Sequence, residues 1–355
     1  MDSIPFISKP EQVTPDWLNQ VFRVSGNHFN VDSLSSESIG TGQVGDNIRF
    51  TLTGSEGTPK SVVGKFMSPD PISRETGIQR ETYVKEVLFY ETLKPLVDIQ
   101  TPKTYHVEGD TESHEFIILM EDLAPGKQGD QLSGCGTDDA ALALEQLAKL
   151  HGPSWGDESL NNHPLLDRSN DTDSSTQLQL IYRMVLPGFL ERYGSKLSDE
   201  HIQVIEGMTD LLPYYQRFYT GPNALIHCDY RLDNMMFGGP HPITIVDWQT
   251  ISLGCPLSDA SYCLGTSLLS PERVREETAL LKHYLEVLNS YKVGLSWNDC
   301  WRYYQGYSAS GLIMAVIASM VVTETDRGNA MFLAMASRSC QQAIELECFD
   351  IIGDL

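Results

Sequence analysis

What this chain lacks narrows it first. No stretch concentrates lysine and arginine: 25 basic residues stand against 48 acidic ones, for a formal charge of -23 and a pI near 4.6. That balance excludes the basic footprint of a nucleic-acid or anionic-membrane binder. The acidity is spread along the chain, with net -7 over residues 1–120 and -16 over the rest, so it reads as solubility, with a cationic substrate as the other reading. No C-x-x-C pair occurs among the seven cysteines (135, 228, 255, 263, 300, 340 and 348). Their odd number and mostly apolar neighbours exclude a disulfide framework and predict a reduced, cytoplasmic protein. The opening MDSIPFISKPEQ has no basic segment followed by an apolar one, so no signal peptide is expected. The longest apolar run, Gly311 to Val322, is too short to span a bilayer and predicts a buried helix. Internal repeats and low-complexity segments are absent as well.

What is there is an ordinary globular composition, 355 residues with 41% hydrophobic and 21% charged, long enough for two domains. Thr14-Pro15-Asp16-Trp17 opens a predicted helix through Phe22, with proline in its first turn. A glycine-rich stretch, GTGQVGDNIRFTLTG, runs into alternating residues from Ile48 to Thr53. The loop SEGTPK then leads to SVVGKFMS, a pattern of two strands. Residues 80 to 93, RETYVKEVLFYETL, have helical spacing that puts Glu86 between Tyr83 and Tyr90, where a lone charge needs a partner. Strands are expected at TYHV from Thr104 and EFIILM from Glu115, followed by the proline- and glycine-marked connector EDLAPGKQGDQ. Beyond it the texture turns helical: DDAALALEQLAKLHG, Asp199 to Tyr219, Pro271 to Tyr291, Trp301 to Thr323 and Asn329 to Cys348. The stretch from Gly156 to Ser175, rich in Asp, Asn and Ser, reads as an exposed loop. The expected class is therefore α+β in two lobes. A small antiparallel sheet with one main helix occupies 1–120, a hinge 121–130, and a larger, mostly helical lobe 131–355.

Chemistry concentrates in IHCDYRLDNMMF (226–237) and ITIVDWQ (243–249). Carboxylates in such apolar company are expensive unless paired. His227, Asp229 and Asn234 satisfy H-x-D-x-x-x-x-N, and Asp247 ends a strand-like run further on. This is the spacing of a kinase catalytic loop followed by a metal-binding aspartate. The other parts that phosphoryl transfer from ATP needs precede it in order. Gly40, Gly42 and Gly45 lie in a loop whose backbone N–H groups can approach phosphate. Lys65 sits in a strand between apolar neighbours, and Glu86 on the following helix can meet its ammonium. Each part has an ordinary explanation alone, as a plain turn, an exposed lysine or a solvated glutamate. Arg231 and Asp233 pair most simply with each other, and His227 most simply braces the loop.

The ordered set resembles the aminoglycoside phosphotransferase and choline kinase branch of the protein-kinase-like fold. Within it, the chain looks most like the ecdysteroid-kinase-like and bacterial small-molecule phosphotransferases. The motifs are GTGQVGD (40–46), EVLFY (86–90), MEDL (120–123), HCDYRLDNMMF (227–237), VDWQ (246–249) and DASY (259–262), within a resemblance spanning about 30–345. One departure is Cys228, where the family often has glycine. The resemblance implies a phosphotransferase dependent on ATP and Mg²⁺ that acts on a hydroxyl of a small-molecule acceptor. Asp229 would be the catalytic base, Asn234 and Asp247 the metal ligands, and Gly40, Gly42, Gly45, Lys65 and Glu86 the phosphate-binding set. The backbone from Glu121 to Leu123 would receive adenine, and Asp259 would hydrogen-bond beneath the catalytic loop. No nucleic-acid partner and no membrane span are expected, and neither acceptor nor oligomeric state is read from the sequence. The alternatives are a nucleotide-binding pseudokinase without turnover, an aminoglycoside-type antibiotic kinase, and a metal-dependent hydrolase that uses no nucleotide.

Overall fold

The computed structural model describes residues 4–40, 44–166, 172–215 and 217–353. By compactness the chain divides into two units. The first comprises Met1–Pro95, Thr101–Lys127 and Gly238–Thr250; the second comprises Leu96–Gln100, Gln128–Phe237 and Ile251–Leu355. The short segment carrying Asp247 thus clusters with the first unit, whereas the sequence reading placed everything from 131 onward in the helical lobe.

The first unit is built on an antiparallel five-stranded sheet of order β1-β2-β3-β5-β4. Its strands are β1 (Val31–Ile39), β2 (Gly45–Gly54), β3 (Ser61–Met67), β4 (Thr104–Gly109) and β5 (Phe116–Glu121). Helix α1 (Pro15–Val24) starts where Thr14 accepts a hydrogen bond from the Trp17 N–H, and it buries Trp17, Leu18, Val21 and Phe22. These pack with Phe50, Leu52, Val62, Phe66, Ile117 and Leu119 from one sheet face. Strand side chains alternate between faces, so Val62 and Phe66 enter this core while Lys65 points to the opposite face, where it is buried. Register sets Lys65 against Asn47 on β2 and Ile118 on β5.

That opposite face is covered by α2 (Pro71–Gln79) and α3 (Thr82–Leu88). The Tyr83 ring stacks on Phe116 at 5.3 Å between centroids, and the Tyr83 hydroxyl donates to the Val44 carbonyl at 2.6 Å. The single helix expected over 80–93 is shorter. Glu81 takes a left-handed conformation at its entry, and after Leu88 the chain widens into a π turn, Phe89–Leu93. A π turn of this kind re-aims side chains and recurs at functional sites. Helix α2 has no apolar stripe, since Ile72 is exposed, and the sequence reading did not find it.

The second unit is mostly helical: α4 (Thr137–Ser154), α5 (Thr172–Tyr193), α6 (Asp199–Tyr215), α7 (Pro256–Ser267), α8 (Ser270–Ser290), α9 (Trp297–Gly306), α10 (Ser310–Ala318), α11 (Asp326–Glu345) and α12 (Cys348–Gly353). Among the described residues five short strands complete the fold, the first four being β6 (Lys127–Gln128), β7 (Ala224–Ile226), β8 (Met235–Phe237) and β9 (Ile243–Ile245). The fifth, β10 (Ser252–Gly254), pairs antiparallel with β7, the strand that leads into the IHCDYRLDNMMF motif. The helix expected over 301–323 is two helices, because the chain breaks between Gly306 and Ser310. Helix α5 begins at Thr172, inside the stretch expected to be loop. Residues 167–171 of that stretch lie outside the described residues. Among the described residues no helix is long and apolar enough to cross a membrane.

Candidate active site

Within the first unit, Lys65 lies between two carboxylates. Its Nζ is 2.6 Å from Glu86 Oε2 and 2.8 Å from Asp247 Oδ1. Burial alone lowers the pKa of an ammonium, but Asp247 and Glu86 outweigh it and hold Lys65 well above the ordinary lysine value. Burial raises Glu86, against the pull of Lys65. Asp247 is the member that reaches solvent, with a quarter of its side chain exposed against 2% for Glu86. Its Oδ2 accepts from Gln249 Nε2 at 3.2 Å.

The segment is fastened by its neighbour. The Trp248 backbone N–H donates to the Glu86 carboxylate, and the buried Trp248 ring stacks on Phe89 with centroids 3.7 Å apart and planes 3° from parallel. The π turn thus presents Phe89 to the residue after Asp247. Asp247 itself has φ +67°, a left-handed conformation that the flanking contacts must maintain.

The glycine-rich loop is described at its two ends. Gly40 has φ +79°, which favours glycine, and a Cβ on Gly45 would fall 3.0 Å from Lys65 Cε. Gly42, between them, lies outside the described residues. At the end of β5, the Glu121 N–H donates to the Lys103 carbonyl and the Leu123 carbonyl accepts from the Gly126 N–H, both at 2.8 Å. Asp122 accepts from Arg49 Nε and Ser61 Oγ, each at 2.6 Å, which ties this connector to β2 and β3.

Within the second unit, Asp229 is held on both oxygens. Oδ1 accepts from Arg231 Nε at 2.9 Å and from the Tyr262 hydroxyl at 2.8 Å; Oδ2 accepts from Asn234 Nδ2 at 2.9 Å. Asn234 Nδ2 also donates to the Asp229 carbonyl at 2.8 Å, so the amide oxygen of Asn234 faces away from these contacts. An oxygen with two hydrogen bonds is filled, whereas Oδ2 with one keeps a lone pair.

The loop is braced from α7. Asp259 Oδ2 accepts from the His227 N–H at 2.6 Å and Oδ1 from the Cys228 N–H at 2.9 Å. The buried His227 ring accepts from the Asp229 N–H at 3.3 Å. Cys228 has φ +67°, a left-handed conformation that costs a residue with a β-carbon more than it costs glycine. His151, fully buried, lies 3.5 Å from Asp259 and meets the Tyr284 hydroxyl at 2.9 Å. Its burial holds the imidazole below its ordinary pKa.

The structure therefore brings Lys65, Glu86 and Asp247 together in one unit, and Asp229 and Asn234 together in the other. Spacing did not reveal the contacts of Arg231 and Tyr262 with Asp229, or of Trp248 with Glu86 and Phe89. All of these residues lie in motifs already quoted, and their pairing was the missing information. Among the described residues no group of three or more His, Cys, Asp or Glu could hold a metal ion. Mg²⁺ takes one or two protein oxygens and completes its shell with phosphate and water, and Asp247 in the first unit and Asn234 in the second each carry an oxygen donor of that kind.

Comparison with known proteins follows the same lines. A profile of the ecdysteroid kinase-like family matches residues 47–295. No curated protein matches the chain. Among solved structures, choline kinase from Cryptosporidium parvum Iowa II is similar over 90% of this chain and 91% of its own, with TM-score 0.58 and 11% identity. Plasmodium vivax ethanolamine kinase is similar over 93% and 84%, with TM-score 0.51 and 13% identity. An ADP-bound aminoglycoside phosphotransferase of the (2'')-Ib type is similar over 93% and 97%, with TM-score 0.50 and 17% identity. At these identities the likeness is one of fold, and it upholds the two-lobed α+β kinase-like architecture expected from the motifs.

Proposed function

The chain belongs to the ecdysteroid kinase-like family, and from that premise we propose that it transfers the γ-phosphoryl group of ATP to a hydroxyl of a small molecule, with Mg²⁺. The observation that carries the reading is the setting of Asp229. Its Oδ1 is filled by Arg231 and Tyr262 while Oδ2 keeps a lone pair for a proton. In the reaction the acceptor oxygen bonds to the γ-phosphorus as the bond to the bridging β–γ oxygen breaks. The electron pair leaves on ADP, and the hydroxyl proton goes to Asp229 Oδ2. A loose transition state makes this chiefly a task of positioning and charge stabilisation.

Lys65 would bind the α- and β-phosphates, oriented by Glu86. The Gly40 to Gly45 loop would cover the phosphates, and the backbone from Glu121 to Leu123 would receive adenine. Asp247 and the amide oxygen of Asn234 would hold the metal, which when bound neutralises phosphate charge. The reading requires that the residues of both units act on one nucleotide. It is tested by ATP depletion across hydroxylated metabolites and antibiotics, followed by mass detection of a phosphorylated product. ATP binding without any product from a broad acceptor panel contradicts it.

A further inference from the structure

Four charged side chains of the second unit form a line that starts at the surface and ends on Asp229. Arg327 stands in the first turn of α11, with 47% of its side chain exposed. Its Nη1 and Nη2 donate to Asp233 Oδ2 and Oδ1, both at 3.0 Å. Asp233 is buried and also accepts from Arg231 Nη1 at 2.8 Å and from the Gln131 N–H at 3.0 Å. Arg231 then reaches Asp229 Oδ1 through Nε. Arg327 has one further carboxylate nearby, Asp130 at 3.5 Å, and Arg231 Nη1 also meets Met331 Sδ at 3.1 Å.

A guanidinium is a rigid plane, so fixing Nη1 fixes the direction of Nε. Arg231 is shared between two carboxylates, and what prevents Asp233 from taking both of its donors is that Asp233 is already gripped from the other side. A two-pronged arginine contact limits rotation of the carboxylate it holds. Without Arg327, Asp233 keeps only Arg231 and one backbone N–H, and it can turn to draw the guanidinium away from Asp229. Asp233 is buried, so losing one of its cations costs some stability as well, and the geometric consequence is read apart from it.

We propose that Arg327 is a positioning residue for the reaction, setting the orientation of Asp229 through Asp233 and Arg231. This rests on Asp229 being the proton acceptor, as proposed above. The test uses the full chain carrying Arg327→Met, with two readouts. A crystal structure of the variant is expected to show the Arg231 guanidinium turned toward Asp233 and Asp229 Oδ1 without its Nε contact. Steady-state rates on an identified acceptor, taken well below the variant's melting temperature, are expected to show kcat lower by roughly 3- to 30-fold, a typical coupling through a side-chain network, with the KM for ATP unchanged. Arg327→Lys keeps the charge without the fork and is expected to share the kcat defect. Unmoved Arg231 and Asp229 side chains overturn the proposal. So do an unchanged kcat despite movement, a kcat loss that only follows a fall in melting temperature, and full rescue by lysine. If the wild type transfers phosphate to nothing, the functional reading fails by itself, while the crystal structure still decides whether Arg327 sets Asp229.

Discussion

Lys65 Nζ lies 2.8 Å from Asp247 Oδ1, a residue 182 positions further along the chain, while Glu86 holds the same ammonium from the neighbouring helix. Two carboxylates on one buried lysine fix it in space. Lys65→Met is expected to lower kcat/KM for ATP by about a hundredfold or more, the scale of losing one preorganised electrostatic contact. Glu86→Gln should give a milder version of the same defect, because the lysine remains with Asp247 alone. Steady-state kinetics at varied ATP decide this, and a Glu86→Gln enzyme with unaltered turnover and unaltered KM contradicts the orienting role.

Cys228 carries a β-carbon in a left-handed conformation. That strain is worth about 1–2 kcal/mol relative to a residue without the carbon, offset in part by the greater freedom glycine has in the unfolded chain. Cys228→Gly is therefore expected to raise the unfolding free energy by roughly 1 kcal/mol and to keep activity. A denaturant titration reads the change, and a lower midpoint with the same slope refutes it.

Asp259, 1% exposed, accepts from two backbone N–H groups, of His227 and Cys228, in the loop that carries Asp229. Asp259→Ala leaves both donors unsatisfied, at about 1–3 kcal/mol each, and frees the loop that positions Asp229. Expected together are a large loss of stability and a loss of activity exceeding it. Asp259→Asn retains one acceptor oxygen and should fall between. Urea unfolding of the pair checks the order, and an alanine variant as stable as wild type removes the bracing role.

Asp233 predicts a dependence on acid. Burial disfavours its charged form, but Arg327, Arg231 and the Gln131 N–H outweigh burial and hold its pKa below the ordinary carboxylate value. The unfolded chain therefore takes up this proton first as pH falls, so the stabilisation is present above about pH 4 and is lost as pH drops through the folded value. Asp233→Asn should be less stable than wild type near neutrality, and the two should converge below about pH 4. Unfolding free energies measured from pH 7 to 3 test this, and a constant gap between the curves contradicts it.

Much of this fold was legible because local pattern and tertiary demand agree. Alternation from Ile48 to Thr53 marked β2, the run SVVGKFM beyond the SEGTPK loop marked β3, and Thr14-Pro15 marked the start of α1. Where no apolar stripe exists, as in α2, whose start rests on the Asp70 cap and Pro71, hydrophobic periodicity is silent. The polar opening of α5 read as loop for the same reason. The π turn at Phe89 was invisible because it answers to Trp248, 159 positions later. At the site, spacing named residue types that one short motif places side by side, such as Asp229 and Asn234. It could not name Arg327, whose partner Asp233 lies 94 residues away and whose surroundings carry no motif.

In the proposed reaction Asp229 serves the acceptor hydroxyl while Asp247 serves the metal and nucleotide. Isothermal titration with an Mg²⁺-bound, non-hydrolysable ATP analogue, run beside kcat for Asp229→Asn and Asp247→Asn, tests it most directly. The account predicts that Asp229→Asn binds the analogue nearly as wild type does while kcat falls roughly a hundred- to ten-thousandfold, toward the lower end if the transition state is loose. Asp247→Asn is predicted to lose Mg²⁺-dependent nucleotide affinity itself. Equal loss of affinity in both variants, or full activity in Asp229→Asn, contradicts the account.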